Sequence, residues 1–304
     1  MTPEGLWVPL TVWAGFAQTL RNAAQRHLVE DVGTLGATLV RFLFGLPFAS
    51  AYLAAVLLIG GESLPRLTSG FVGWVVEGGI AQIAATALLL RVMADRNFAV
   101  GVAFSKTELV QVAVFGAAFL GDPASALTVT AVLLATLGVV LLSPAPGAAG
   151  RLRGLVQGWT SRSAVLGVAS GAGFALAAVG YRGAALELDA GFTLAAAYSL
   201  VWAQAVQVAI LGGWLLARNA GVVLTLFRLW QPSLAAGFMG AAASVGWFTA
   251  FAIEPASHVR TLGLVELLFS LAAARRFFAE SLSRVELAGV ALLAVALVLI
   301  TLGT

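Results

Sequence analysis

Apolar residues run along this chain in blocks of about twenty, and polar residues gather between the blocks and only rarely inside them. Neither a narrow 3.6-residue stripe nor a two-residue alternation dominates, which is the pattern of helices with apolar surroundings on all sides. A bilayer core is crossed by about 20 residues of helix. The blocks predict ten such spans, at 5–24, 34–59, 71–92, 97–118, 124–142, 164–181, 191–217, 233–251, 257–278 and 284–302. Strands of a membrane barrel would show segments of about ten residues with alternating polarity. These runs are continuous and rich in Ala, Leu, Val and Gly. The expected fold is therefore all-α, a polytopic membrane protein.

The links are short. The longest, 143–163, carries Pro144, Pro146, Gly147, Gly150 and three arginines and falls at the middle of the chain. It divides a first five-span unit, 1–143, from a second, 164–304, with 144–163 as the linker. The two units match at an offset of 158 residues. Gly15-Phe16-Ala17 corresponds to Gly173-Phe174-Ala175, Gly79 to Gly237, Glu108-Leu109 to Glu266-Leu267, Phe119 to Phe277, Asp122 to Glu280 and Ser125 to Ser283. Five is an odd number, so the second unit enters the membrane from the opposite side. The ten helices are thus expected as two inverted five-helix repeats, with a substrate site near the midplane between them.

Composition supports lipid as the solvent. Hydrophobic residues make up 60% of the chain and charged ones 10%, with a mean hydropathy of +0.97; soluble domains carry about 25% charged residues. There is no cysteine, which excludes disulfides, thiolate metal sites and a thiol nucleophile. The basic pI of 9.9 comes from arginine, and in a membrane protein basic links report orientation, so no nucleic-acid partner is expected. Links after odd-numbered spans hold twelve arginines, Arg21, Arg26, Arg91, Arg96, Arg151, Arg153, Arg162, Arg218, Arg228, Arg275, Arg276 and Arg284, against Arg66, Arg182 and Arg260 on the other side. That bias predicts a bacterial inner-membrane protein with a cytoplasmic central linker and both termini outside. The first span lacks a basic n-region and reads as a retained helix, not a signal peptide.

With ten helices in two halves, each half ending in a Phe-x-x-acid turn before a small-residue helix, the chain resembles the EamA-type drug/metabolite transporters. The residues that carry the resemblance are Phe119-Leu-Gly-Asp122 and Phe277-Phe-Ala-Glu280, the latter followed by Glu286-Leu-Ala-Gly289, together with Leu39-Val-Arg41-Phe42 at the start of the second span. Within that superfamily it is most similar to the YddG-like branch, which implies export of amino acids. Small four-helix multidrug relatives carry a membrane carboxylate in their first helix. Here that helix offers Gln18 and Asn22 and no acid, so a proton-antiport residue is not carried over.

A charge at the bilayer centre costs about 2.5–3.5 kcal/mol on insertion scales, so charged residues within spans mark candidate sites. They are Arg41, Glu77, Lys106, Glu108 and Glu266. Lys106 either attracts an anionic substrate group or neutralises a buried acid, Glu77 or Glu108 first among them. In a regular helix it points about 200° away from Glu108, so those two are not expected to pair. Glu108 and Glu266 are repeat mates that either hydrogen bond in a cavity or brace helices. Arg41 reads as a brace of its helix, and Glu77, beside Gly78 and Gly79, as a residue that could line a cavity. Gln18 and Asn22, Gln82, Ser244 and Trp247 complete the candidate substrate-binding set. His258 reads as interfacial. Trp13, Trp202 and Trp247 lie well inside spans, where packing is the simpler role.

No HExxH pattern, nucleotide loop or His-acid pair accompanies a nucleophile, so no enzyme, cofactor or metal site is expected. The expected function is a secondary transporter, exporting aromatic or neutral amino acids or similar small metabolites by alternating access. Its partners are a small-molecule substrate and the lipid bilayer, and a monomer is compatible with everything above. The alternative is a non-transport membrane component, such as a lipid-carrier flippase subunit.

Overall fold

The computed structural model describes residues 5–95, 105–122, 125–141, 162–269, 272 and 284–302. Most of the central linker, the start of the fourth predicted span, the end of the ninth, the Phe277–Glu280 turn and Thr304 lie outside the described residues. Among those described, every regular element is helical. In chain order they are α1 (Trp7–Leu43), α2 (Leu46–Gly60), α3 (Ser69–Asp95), α4 (Glu108–Phe115), α5 (Ala126–Leu141), α6 (Arg162–Leu186), α7 (Phe192–Gln207), α8 (Gly213–Arg228), α9 (Trp230–Ile253), α10 (Ala256–Leu262) and α11 (Arg284–Leu302). Single π-helical segments, Gly116–Leu120 and Val208–Gly212, continue α4 and α7.

Among the described residues, five helical stretches are long and apolar enough to cross a membrane. The first, Trp7–Gly60, has 54 residues. Straight, it would measure about 80 Å against a hydrocarbon core of about 30 Å. It bends twice, and both bends have local causes. Gly33 takes φ 67°, ψ 174°, a conformation that favours glycine. Residues 44–45 form a turn just before Pro47, which has no N–H to continue the ladder. The first predicted span therefore does not end at residue 24. The segment expected as a link, 25–33, is helical up to the bend, because polar Gln18, Arg21, Asn22 and Gln25 share one inward face and do not mark an exit from the membrane.

Two shorter breaks share a position in the two halves. After Ser105 the chain turns at 106–107 before α4 begins at Glu108. After α10 it turns at 263–264 and resumes as helix from Val265, next to Glu266. Both turns carry tight i to i+3 bonds: Leu109 N–H donates to the Lys106 carbonyl at 3.3 Å, and Leu267 N–H to the Leu264 carbonyl at 2.8 Å. These four residues correspond at the offset of 158. Glycines let neighbouring helices press on the breaks. A Cβ on Gly171 of α6 would stand 2.7 Å from the Ser105 carbonyl oxygen and 3.0 Å from the Glu108 nitrogen, and one on Gly15 of α1 would stand 3.4 Å from the Glu266 nitrogen.

Packing joins α1 to α9, α3 to α6, α5 to α11, α4 to α6, α10 to α1, and α2 to α7. The distribution of polarity is inverted relative to a soluble domain. Leu58, Ile59, Leu133, Leu137, Val165, Leu216, Leu224 and Val298 are exposed, while Arg21, Asn22, Arg41, Lys106, Glu108, Arg260 and Glu266 are buried. Contiguous exposed apolar surface of this extent fits helices embedded in a membrane.

Candidate functional site

The breaks bring the ends of α4 and α10 together with α1 and α9 in one buried polar layer. Lys106 Nζ lies 2.5 Å from Glu266 Oε2 and 3.6 Å from Glu108 Oε1. Two amides from α1 complete the Glu266 carboxylate: Gln18 Nε2 donates to Oε2 at 2.8 Å and Asn22 Nδ2 to Oε1 at 3.1 Å. Gln18 in turn accepts from the Trp247 indole N–H of α9 at 3.0 Å. Asn22 accepts two bonds from Arg21, at 2.7 and 3.2 Å. On the other side of Lys106, Arg260 Nη1 stands 3.9 Å from Glu108 Oε1. The Arg260 guanidinium rests over Trp247 at 4.8 Å and Phe251 at 5.3 Å from the ring centroids, a cation–π setting that partly replaces its lost water.

Of the residues singled out from sequence, Gln18, Asn22, Lys106, Glu108, Trp247 and Glu266 thus meet in one connected network. Ser244 and Gln82 are buried, and among the described residues no hydrogen bond joins them to it. Glu77 stands apart, on α3. Its Oε2 is buried without a hydrogen-bond partner, in the space left by Gly180, whose Cβ would fall on it. Tyr181 is within electrostatic reach of Glu77, Arg41 and Arg260, and its hydroxyl accepts from Gln207 Nε2 at 2.9 Å.

Several sequence expectations change. Lys106 and Glu108 do pair, because the turn at 106–107 removes the regular helical geometry that would have set them on opposite faces. The first partner of Lys106 is Glu266, the residue that matches Glu108 at the offset of 158, and not Glu77 or Glu108 itself. Arg21 and Arg260, counted among the links, are core residues. His258 is buried, with Nδ1 2.6 Å from Glu254 Oε1 and Nε2 3.0 Å from the Thr128 hydroxyl. Trp13 is about half exposed and turned outward, while Trp247 faces inward. Beside His258, Arg182 pairs with Asp122 at 3.1 Å and donates to the carbonyls of Phe251 and Glu254, tying α6 to the turn after α9.

Arg21 and Arg260 were missed for a shared reason. Arginines near the ends of apolar runs read as part of the adjoining links, whereas a guanidinium with an amide or ring partner sits inward. For Arg21 a signal existed: Gln18, Asn22 and Gln25 recur at helical spacing on its face. For Arg260, whose repeat position is Val102, the sequence holds no such signal.

The fold and this interior define an all-helical protein of membrane-embedded type with a charged layer at its core. No family model matches the chain, and no curated protein does. A solved crystal structure, described only as that of a protein, is similar with a TM-score of 0.65 at 16% identity, over 97% of this chain and 96% of that one. At that identity the likeness is one of helical architecture along nearly the full length of both chains.

Proposed function

We propose that this chain is a secondary transporter of amino acids or similar small metabolites, working by alternating access between two inverted five-helix halves. The observation that carries the reading is a pair of turns, 106–107 just ahead of Glu108 and 263–264 just ahead of Val265-Glu266, with matching backbone bonds at the offset of 158. Discontinuous helices meeting near the midplane free backbone groups and concentrate polar side chains where a solute must pass, the arrangement found in transporters built from inverted repeats. The packing agrees with two interchangeable halves. Exchanging them maps the α1–α9 contact onto α6–α3, while α5–α11 maps onto itself. The resemblance to EamA-type transporters points the same way. Buried charge of this density is hard to account for in a membrane scaffold, where each group costs stability.

The test is counterflow of labelled amino acids into proteoliposomes holding the purified protein. Saturable, protein-dependent exchange of at least one solute is the expected result. Its absence across a broad amino-acid and metabolite panel would leave the transport reading without support.

A further inference from the structure

Among the described residues, charge in the buried layer is not balanced. Four cations, Arg21, Arg41, Lys106 and Arg260, are each no more than 6% exposed. Two carboxylates, Glu108 and Glu266, contact them. Arg21 lies within electrostatic reach of Arg41, Arg260 and Glu266. The Arg21 and Arg41 stems both abut Gly240 of α9, where a Cβ would stand 3.4 Å from each. Counting Glu77 as ionised still leaves one cation in excess.

Lys106 is saturated by acids, but the arginines are not. Arg21 spends Nε and Nη2 on the Asn22 amide oxygen, and its buried Nη1 has no partner. Arg260 keeps a buried, unpartnered Nε. Arg41 donates to the Thr86 hydroxyl at 3.3 Å and lies against the Phe42 ring at 5.0 Å, with no carboxylate among the described residues in contact with it. Unpaired guanidinium donors in a dry interior are costly, and planar forks of this kind suit a carboxylate or a phosphate. A zwitterion would bring its own cation and leave the excess uncorrected. A net anion would remove it.

We infer that the Arg21–Arg41–Arg260 side of the layer is a binding site for a small organic anion, held through its carboxylate or phosphate group, with Lys106 as the internal counter-ion of Glu266. The inference rests on the transport reading and narrows its substrate to net-anionic solutes. Arg41 is the primary anion contact, and Arg21, oriented by Asn22, is the second.

Counterflow into proteoliposomes of labelled L-glutamate, O-phospho-L-serine, L-glutamine and L-lysine tests it. Glutamate or phosphoserine should exchange at least tenfold faster than glutamine and lysine, and which of the two leads separates carboxylate from phosphate recognition. Arg41→Gln should lower that rate at least tenfold, and Arg41→Lys should retain part of it along with the preference for anions. Equal exchange of glutamine and glutamate would overturn the anion site while leaving transport standing. No exchange of any of the four would also overturn the anion site, while the broad solute panel decides transport itself. The solute preference of the unmodified protein needs no variant, so a poorly folding Arg41→Gln protein would not shield the proposal.

Discussion

Lys106 is gripped by acids from both halves of the chain, and its removal would leave the Glu266 carboxylate buried with only two amide donors. Deleting one partner of a buried ion pair costs about 3–5 kcal/mol, more than the pair itself contributes relative to apolar packing. Lys106→Ala should therefore lower thermal stability in detergent markedly, and adding Glu266→Gln should recover a substantial part of the loss. Additive effects of the two changes would refute the pairing. His258 makes a second residue-scale case. It bridges Glu254 to the buried Thr128 of α5, so His258→Ala removes one hydrogen bond from each and should destabilise by about 0.5–1.5 kcal/mol per bond in the same assay. An unshifted melting curve would mean that the bridge does not form. Six of the residues in the central network were legible in sequence because polar side chains inside apolar runs stand out against their background. Their partners were less so: which acid meets Lys106 depends on a turn that no local signal at Lys106-Thr107 announces.

At the scale of elements, the two breaks differ in how they are encoded. The second contains Gly263, a residue that leaves a helix easily. The first has no glycine or proline at 106–107 and is shaped from outside, by α6 closing on it through Gly171. The sequence showed Gly167 and Gly171 at small-residue spacing but gave no indication of what they face. A side chain at Gly171 would meet backbone atoms of Ser105 and Glu108, which cannot swing aside as a flexible side chain can. Gly171→Val should thus cost about 1–3 kcal/mol of stability and reduce any transport activity more than the same change at Gly213, whose Cβ would meet nothing within 4 Å. Equal tolerance at the two sites would remove Gly171 from the packing of the break. The predicted spans located most helices because twenty-residue apolar runs dominate the sequence. They misjudged the exit of the first helix, where the polar face turns inward to the layer and hydropathy reads it as an end.

For the whole molecule, burial sharpens the argument about orientation. The arginine asymmetry that predicts a cytoplasmic central linker was drawn from sequence, and two of its members, Arg21 and Arg260, prove to be interior residues of the folded protein. They lie on opposite sides of the count, so the bias survives their removal. A third, Arg182, on the poorly charged side, is engaged with Asp122 and two carbonyls at the mouth of α6. What remains exposed among the described arginines is Arg91, Arg162, Arg218 and Arg228 on the basic side against Arg66 on the other. Since the rule acts on charges near span ends in short links, this filtered set is the relevant one, and at four to one it keeps the ratio of the raw count. A reporter active only in the periplasm should accordingly be active when fused after Thr304 and silent when inserted at 145–150 in the linker. The opposite pattern would invert the orientation of every helix while leaving the charged layer, which sits between the halves, where it is.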